Sequence, residues 1–158
     1  MAFAPPAFAD VPTACTETPA FADAIAQLEA DGWQVQPRDA QLTEAQIDAL
    51  AWTLMAMRFI GGDTGGQTTE TLLDLQRNAA PGLLVRVDTD TTRARVLLDG
   101  DDALTVTQTR TIPGRVERVC HLASTGPAPD GVEPIDTTGF DGAPATLAEW
   151  RTVLPEAE

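Results

Sequence analysis

The 158 residues include 24 acidic and 10 basic side chains, a formal charge of −14, and 43% are hydrophobic. That length suits one domain with its own core, and that apolar content argues against a disordered chain. The charge argues against binding to nucleic acid or anionic lipid, which needs clustered cations, and no apolar run reaches the roughly 18 residues of a membrane helix.

The chain opens Met1-Ala-Phe-Ala-Pro-Pro-Ala-Phe-Ala9-Asp10. Ala7-Phe8-Ala9 is a small-x-small triplet before an acidic residue, the pattern a signal peptidase cuts. Residues 1–9 therefore read as the remnant of a signal peptide whose start lies upstream, and residues 10–158 as a single α+β domain. The expected location is periplasmic or extracellular. Cys15 and Cys120 are the two cysteines. An even count in an exported chain predicts one disulfide between them.

Residues 10–18 read as an extended lead-in. Thr18-Pro19 then suits an N-cap followed by proline in the first helical position. Phe21, Ala24, Ile25 and Leu28 fall at i, i+3, i+4 and i+7, so an amphipathic helix is expected over 19–31, stopped by Gly32. Trp33-Gln-Val35-Gln alternates and suggests a short strand.

Thr43-Glu-Ala-Gln46 is a capping-box pattern, with Leu42 placed as a staple. It opens a helix over 43–60 that is apolar nearly all round. Ile47, Leu50, Ala51, Leu54 and Met57 line one side; Ala45, Ala49, Trp52, Ala56 and Phe59 line much of the other. Such a helix lies between layers. Arg58 falls on the Ile47/Leu54 stripe, where it either snorkels at the helix C-terminus or anchors an anion in a pocket. Gly61-Gly-Asp-Thr-Gly-Gly66 lacks the lysine and the preceding strand of a phosphate-binding loop. Thr68 or Thr69 is expected to cap a third helix over 69–79, with Leu72, Leu75 and Ala79 as its stripe and Leu73 beside it.

From residue 83 the period changes to two. Leu83, Val85 and Val87 predict a first strand. Arg93–Leu98, with Ala94, Val96 and Leu98 inward, predicts a second. Leu104 and Val106 mark a third over 103–110, and 116–122 a fourth. Asp99-Gly-Asp-Asp102 and Pro113-Gly114 supply the turns. The outward face would show Arg86, Arg95, Thr105 and Thr107, with His121 added from the fourth strand. Residues 123–143, rich in proline and glycine, read as a long loop, and 145–154 as a short helix or strand.

The catalytic inventory is thin. His121 is the only histidine and Ser124 the only serine. His121 and Cys120 are adjacent, so on a strand they point to opposite faces and cannot form a nucleophile pair. The aspartates at 88/90 and 99/101/102 match turn chemistry and no EF-hand loop.

The expected fold is α+β, with three helices packed on one face of a four-stranded antiparallel sheet (83–122) and a loop-rich C-terminal segment. The expected function is an exported, non-catalytic binding or accessory protein with no cofactor and no metal. Its partner would be a protein or small molecule, with no nucleic acid and no membrane span, and its state a monomer or weak oligomer. One alternative is a carrier of small apolar ligands with a pocket beside helix 43–60, lined by Trp52, Met55, Met57 and Phe59. The ligand-binding residues would then extend to Arg58, Arg86, Arg95 and His121. A second alternative is a carboxylate-dependent hydrolase.

Overall fold

The structure is a computed structural model that describes residues 11–60, 66–128, 131–138, 140 and 142–157, without the side chains of 57–60 and 66–68. The proposed signal remnant lies outside the described residues. Four α-helices and a five-stranded antiparallel sheet make an α+β domain: α1 (Val11–Thr16), α2 (Phe21–Ala30), β1 (Gln34–Val35), α3 (Glu44–Ile60), α4 (Gly66–Ala79), a 3-10 helix (Ala80–Val85), β2 (Thr92–Asp99), β3 (Asp102–Ile112), β4 (Arg115–Ser124) and β5 (Thr146–Pro155). The strands lie in chain order across the sheet.

Several expected elements form as read. The Phe21, Ala24, Ile25 and Leu28 stripe of α2 is buried, and Gly32 ends the helix at φ 103°, a left-handed value that costs glycine nothing. The capping box of α3 closes in both directions. Gln46 N–H donates to Thr43 Oγ1 at 3.2 Å, and Thr43 N–H to Gln46 Oε1 at 2.9 Å. Asp99 pairs with Asp102 across the turn that Gly100 makes at φ 59°. The disulfide between Cys15 and Cys120 forms, with the two Cα atoms 6.1 Å apart.

Other expectations are corrected. Residues 11–16 are helical rather than extended, because Val11, Ala14 and Cys15 bury one side of a turn. Thr18 does not cap α2. Its hydroxyl donates to Gln27 Oε1 at 2.9 Å, while the carbonyls of Thr18 and Pro19 turn to Arg118, so the helix begins only at Phe21. Helix α4 starts at Gly66 and buries Thr69 and Leu73, and Ala80, the first residue of the 3-10 helix, is buried after it. Leu75, read as part of the stripe, is 57% exposed; an error of one residue in phase turns a helix face by about 100°.

The strand expected at 83–87 is absent. A 3-10 helix with proline in its first turn buries Ala80 and Leu84 instead, leaving Val85 and Val87 exposed. The sheet gains its remaining strands from β1, against β2, and from β5, against β4.

The largest correction is the layering. Helices cover both faces of the sheet, not one. Leu97, Leu104, Val106, Cys120, Leu122 and Ala148 pack with α1 and α2. On the other face, Ala123 and Leu147 pack with Ala51, Trp52, Met55 and Ala56 of α3 and Leu73 of α4. Val96, Leu98 and Ala103 join Leu50, Ala80 and Leu84 there. The expected inward sets therefore split: Val96 and Leu98 face α3, whereas Leu104 and Val106 face α1 and α2. Helix α3, as its all-round apolar sequence implied, lies between the sheet and the α4 segment.

Candidate functional site

Where α3 meets the ends of β4 and β5, the packing opens into a cleft of about 340 Å³. One wall is helical. Ala45, Asp48, Ala49 and Trp52 fall at i, i+3, i+4 and i+7 and form a single stripe along α3. The facing wall is Ala123, Ser124 and Thr125 at the end of β4, followed by the Gly142–Ala145 run that leads into β5. Asp101, in the β2–β3 turn, closes one end. Small side chains on both walls leave the space open, and Trp52 forms its base. Trp52 is 1% exposed and meets the Phe140 ring edge-on, 5.4 Å between centroids at 78°.

The strand-side wall is held rigidly. Thr125 N–H and its hydroxyl both donate to Asp102 Oδ1, at 2.8 and 3.2 Å. Gly126 N–H donates to Ser124 Oγ at 2.9 Å, and Thr146 Oγ1 donates to the Gly126 carbonyl at 2.7 Å. On the helical wall Asp48 is fixed by Arg77 of α4, whose Nε and Nη2 lie 2.9 and 2.8 Å from Oδ1. A second recess shares Ala45 and Asp48 with the cleft and runs on to Glu44, Ile47 and Arg77.

The other residues expected to bind ligand do not converge here. Met55 is 1% exposed, buried in the core beneath α3, and not part of the cleft wall. That core fills the space between Met55 and the sheet. The side chains of Met57, Arg58 and Phe59 lie outside the described residues. Arg86 is exposed beyond the end of the 3-10 helix and is not on the sheet. Arg95 pairs in register with Val106, on the opposite face from Thr105, Thr107 and His121. It stacks over the Phe21 ring at 5.4 Å and makes two contacts to Asp88, at 2.8 and 2.9 Å. The Arg95 bonds to Asp88, chiefly, hold that carboxyl below its usual range.

His121 pairs with Thr105 and shares the face of Val96 and Leu98, which was expected to point inward, not that of Arg95. Its Nε2 is 2.7 Å from Glu149 Oε2. Arg151 Nε reaches Glu149 Oε1 at 3.3 Å, and its Nη1 reaches Glu117 at 2.9 Å. Burial pushes the Glu149 carboxyl up, but the bonds from His121 and Arg151 outweigh it and leave the group below its ordinary value. Ser124 lies three positions along β4 from His121, on the opposite face, and Cys120 is consumed by the disulfide.

Sequence reading missed Arg118. It is fully buried on β4. Its Nη1 donates to the carbonyls of Ala14, at 2.8 Å, and Thr18; its Nη2 donates to Pro19 at 2.9 Å and to Gln108 Oε1 at 2.7 Å. Nε adds a further bond to Gln108 at 3.1 Å. Burial lowers its pKa. These oxygen partners make it the clamp of the α1–α2 corner. The strand pattern held one signal: Arg118 is two residues from Cys120 and so shares its inward face.

No described helix is long and apolar enough to cross a membrane. Among the described residues no cluster of His, Cys, Asp and Glu could hold a metal ion. No protein-family model, curated protein or solved structure matches the chain.

Proposed function

We propose that the protein is an exported, non-catalytic binding module whose ligand site is the cleft beside Trp52. The observation that carries this reading is the cleft itself. At about 340 Å³ it falls within the 300–1,000 Å³ typical of small-molecule sites, and its walls combine apolar groups with a few fixed polar ones. Hydrogen bonds within residues 124–126 and from Thr125 to Asp102 hold the strand-side wall in shape, so little ordering is needed on binding. The disulfide supports export, because such bonds persist in oxidising compartments. In this form the carrier reading places the ligand in an open cleft between α3 and the ends of β4 and β5.

The hydrolase reading has less support. Asp48 and Asp101 both line the cleft, but the Asp48 side chain is 38% exposed and Asp101 is exposed in its turn. A carboxyl acid catalyst needs burial to keep its proton near neutral pH.

A panel of one- and two-ring fragments, titrated into isotopically labelled protein and followed by amide chemical shifts, tests the proposal. Hits are expected to move the amides of Ala45, Ala49, Ala123 and Thr125, and Ala49→Phe, which fills the cleft, is expected to abolish those shifts. Hits scattered over other surfaces, or a panel that moves none of these amides, would reject the cleft as a ligand site.

A further inference from the structure

We infer that the ligand of this cleft is a small organic cation, an amidinium or guanidinium carried on a flat apolar body; the inference rests on reading the cleft as a ligand site. The cavity establishes the space, and its charges select the occupant. Asp48 and Asp101 line it, and Glu44 lines the adjoining recess. Among the described residues the one base in these walls is Arg77, and it is engaged by both Asp48 and Asp74. Carboxylates lining a low-dielectric recess concentrate a field that draws in cations, and the net charge of −14 adds to it. The methyl groups of Ala45, Ala49 and Ala123 and the Trp52 ring add apolar wall to the same cleft. An ammonium on a flexible polar chain would leave that wall uncovered, whereas a planar cation on a ring covers it and meets a carboxylate edge-on. The volume, at the low end of the small-molecule range, suits a molecule of one or two rings.

Arg77 provides an internal precedent. Its guanidinium already rests on Oδ1 of Asp48 through two nitrogens, so this carboxylate accepts the chemistry inferred for the ligand. Arg77 is then a competitor built into the fold, and removing it should strengthen binding rather than weaken it. A purely structural Arg77–Asp48 pair would not behave that way.

The test uses the full chain and two near-isosteric probes, benzamidine, which is cationic, and benzamide, which is neutral, with amide shifts as the readout. Benzamidine is expected to move the amides of Ala45, Ala49, Ala123 and Thr125 and to bind about five-fold or more tighter than benzamide, with the difference shrinking as salt screens the carboxylates. Asp101→Asn should weaken benzamidine by about two- to five-fold, and Arg77→Gln should strengthen it by a similar factor, the scale of one exposed ion pair. Asp48→Asn is a second carboxylate variant should Asp101→Asn disturb its turn, which the spectrum of the free variant reveals. Equal binding of both probes in the cleft would overturn the charge inference while leaving the ligand site intact. Benzamidine that binds elsewhere, or moves nothing up to its solubility, also overturns it; the neutral members of the fragment panel then judge the ligand site separately.

Discussion

Arg118 and Cys120 stand two residues apart on the same face of β4, and both hold α1: Cys120 through its disulfide to Cys15, Arg118 through a 2.8 Å hydrogen bond to the Ala14 carbonyl. A six-residue helix cannot stand alone, since isolated helices under about 12 residues are marginal in water. Its order comes from one covalent bond, one buried cation and the burial of Val11 and Ala14 in the core.

Removing the covalent tie should be costly. The bridged cysteines are 105 residues apart, so the bond restricts a large loop of the unfolded chain. The double variant Cys15→Ala/Cys120→Ala is expected to lose about 2–5 kcal/mol in urea melts. A loss under about 1 kcal/mol would mean that Arg118 and packing already fix α1.

Removing the cation should cost at least as much. Arg118→Met strips donors from the buried carbonyls of Ala14, Thr18 and Pro19 and leaves Gln108 Oε1 without its guanidinium. The expected loss is about 3–5 kcal/mol, and Arg118→Lys should recover only part, because one ammonium cannot span partners set around a planar fork. Because both anchors act on α1, their losses should not add. A double-mutant cycle with the cysteine variant is expected to give a coupling of about 0.5–3 kcal/mol, and strict additivity would show the anchors to be independent.

The sequence made visible those parts of the fold whose cause is local. The α2 stripe, the Thr43–Gln46 capping box, the Gly100 and Gly114 turns and the three central strands each depend on residues close in the chain, and each formed. The failures depend on distant partners. Leu83, Val85 and Val87 alternate as a strand would, yet only the burial of Leu84 among α3 and β2 residues decides that this stretch coils. The covering of both sheet faces could have been suspected, because β2 carries Val96, Leu97 and Leu98 in succession, and a strand apolar on both sides is one with two covered faces. In the cleft, Trp52 was singled out as lining a pocket, but its neighbours were not. Ala123, Thr125 and Ala143 are unremarkable small residues whose role comes from the gap they leave between β4, β5 and α3.

Stability should fall at acidic pH by a traceable route. The carboxyls of Asp88 and Glu149 both titrate below their ordinary values in the folded chain, Asp88 through Arg95 and Glu149 through His121 and Arg151 against the opposing effect of burial. A lowered folded pKa means that the unfolded state takes up protons first as pH falls. The contribution of each pair is therefore fully present above the unfolded carboxyl values of about 4, and is lost as pH drops through the lower folded values. Thermal midpoints measured from pH 6 down to pH 2.5 should show a shallower acid decline for Arg95→Met and Glu149→Gln than for the parent chain. An identical slope would mean that these pairs contribute nothing to acid sensitivity.

Export makes its own prediction. If residues 1–9 belong to a signal peptide, N-terminal sequencing of protein from the native host should begin near Asp10. Recovery of intact Met1 in soluble cytosol would refute the reading, and would also leave the disulfide without an oxidising compartment to account for it.

Trp52 joins the core to the proposed site, and its truncation tests how the two are linked. The ring is 1% exposed, packs in one cluster with Ala51, Met55, Ala56, Leu73 and Leu147, and meets Phe140 edge-on. Trp52→Ala should therefore cost about 3–5 kcal/mol, the usual range for a buried aromatic, out of a typical total near 5–15 kcal/mol. A loss under about 1 kcal/mol would reject the packing described for α3, since that is the scale of surface changes. Trp52→Phe separates the two roles. It retains most of the apolar contact and should cost less stability, but it shortens the base of the cleft. Ring-bearing fragments should then bind more weakly to a chain that still folds. Unchanged fragment affinity in Trp52→Phe would show that the ring supports the cleft from below without touching what enters it.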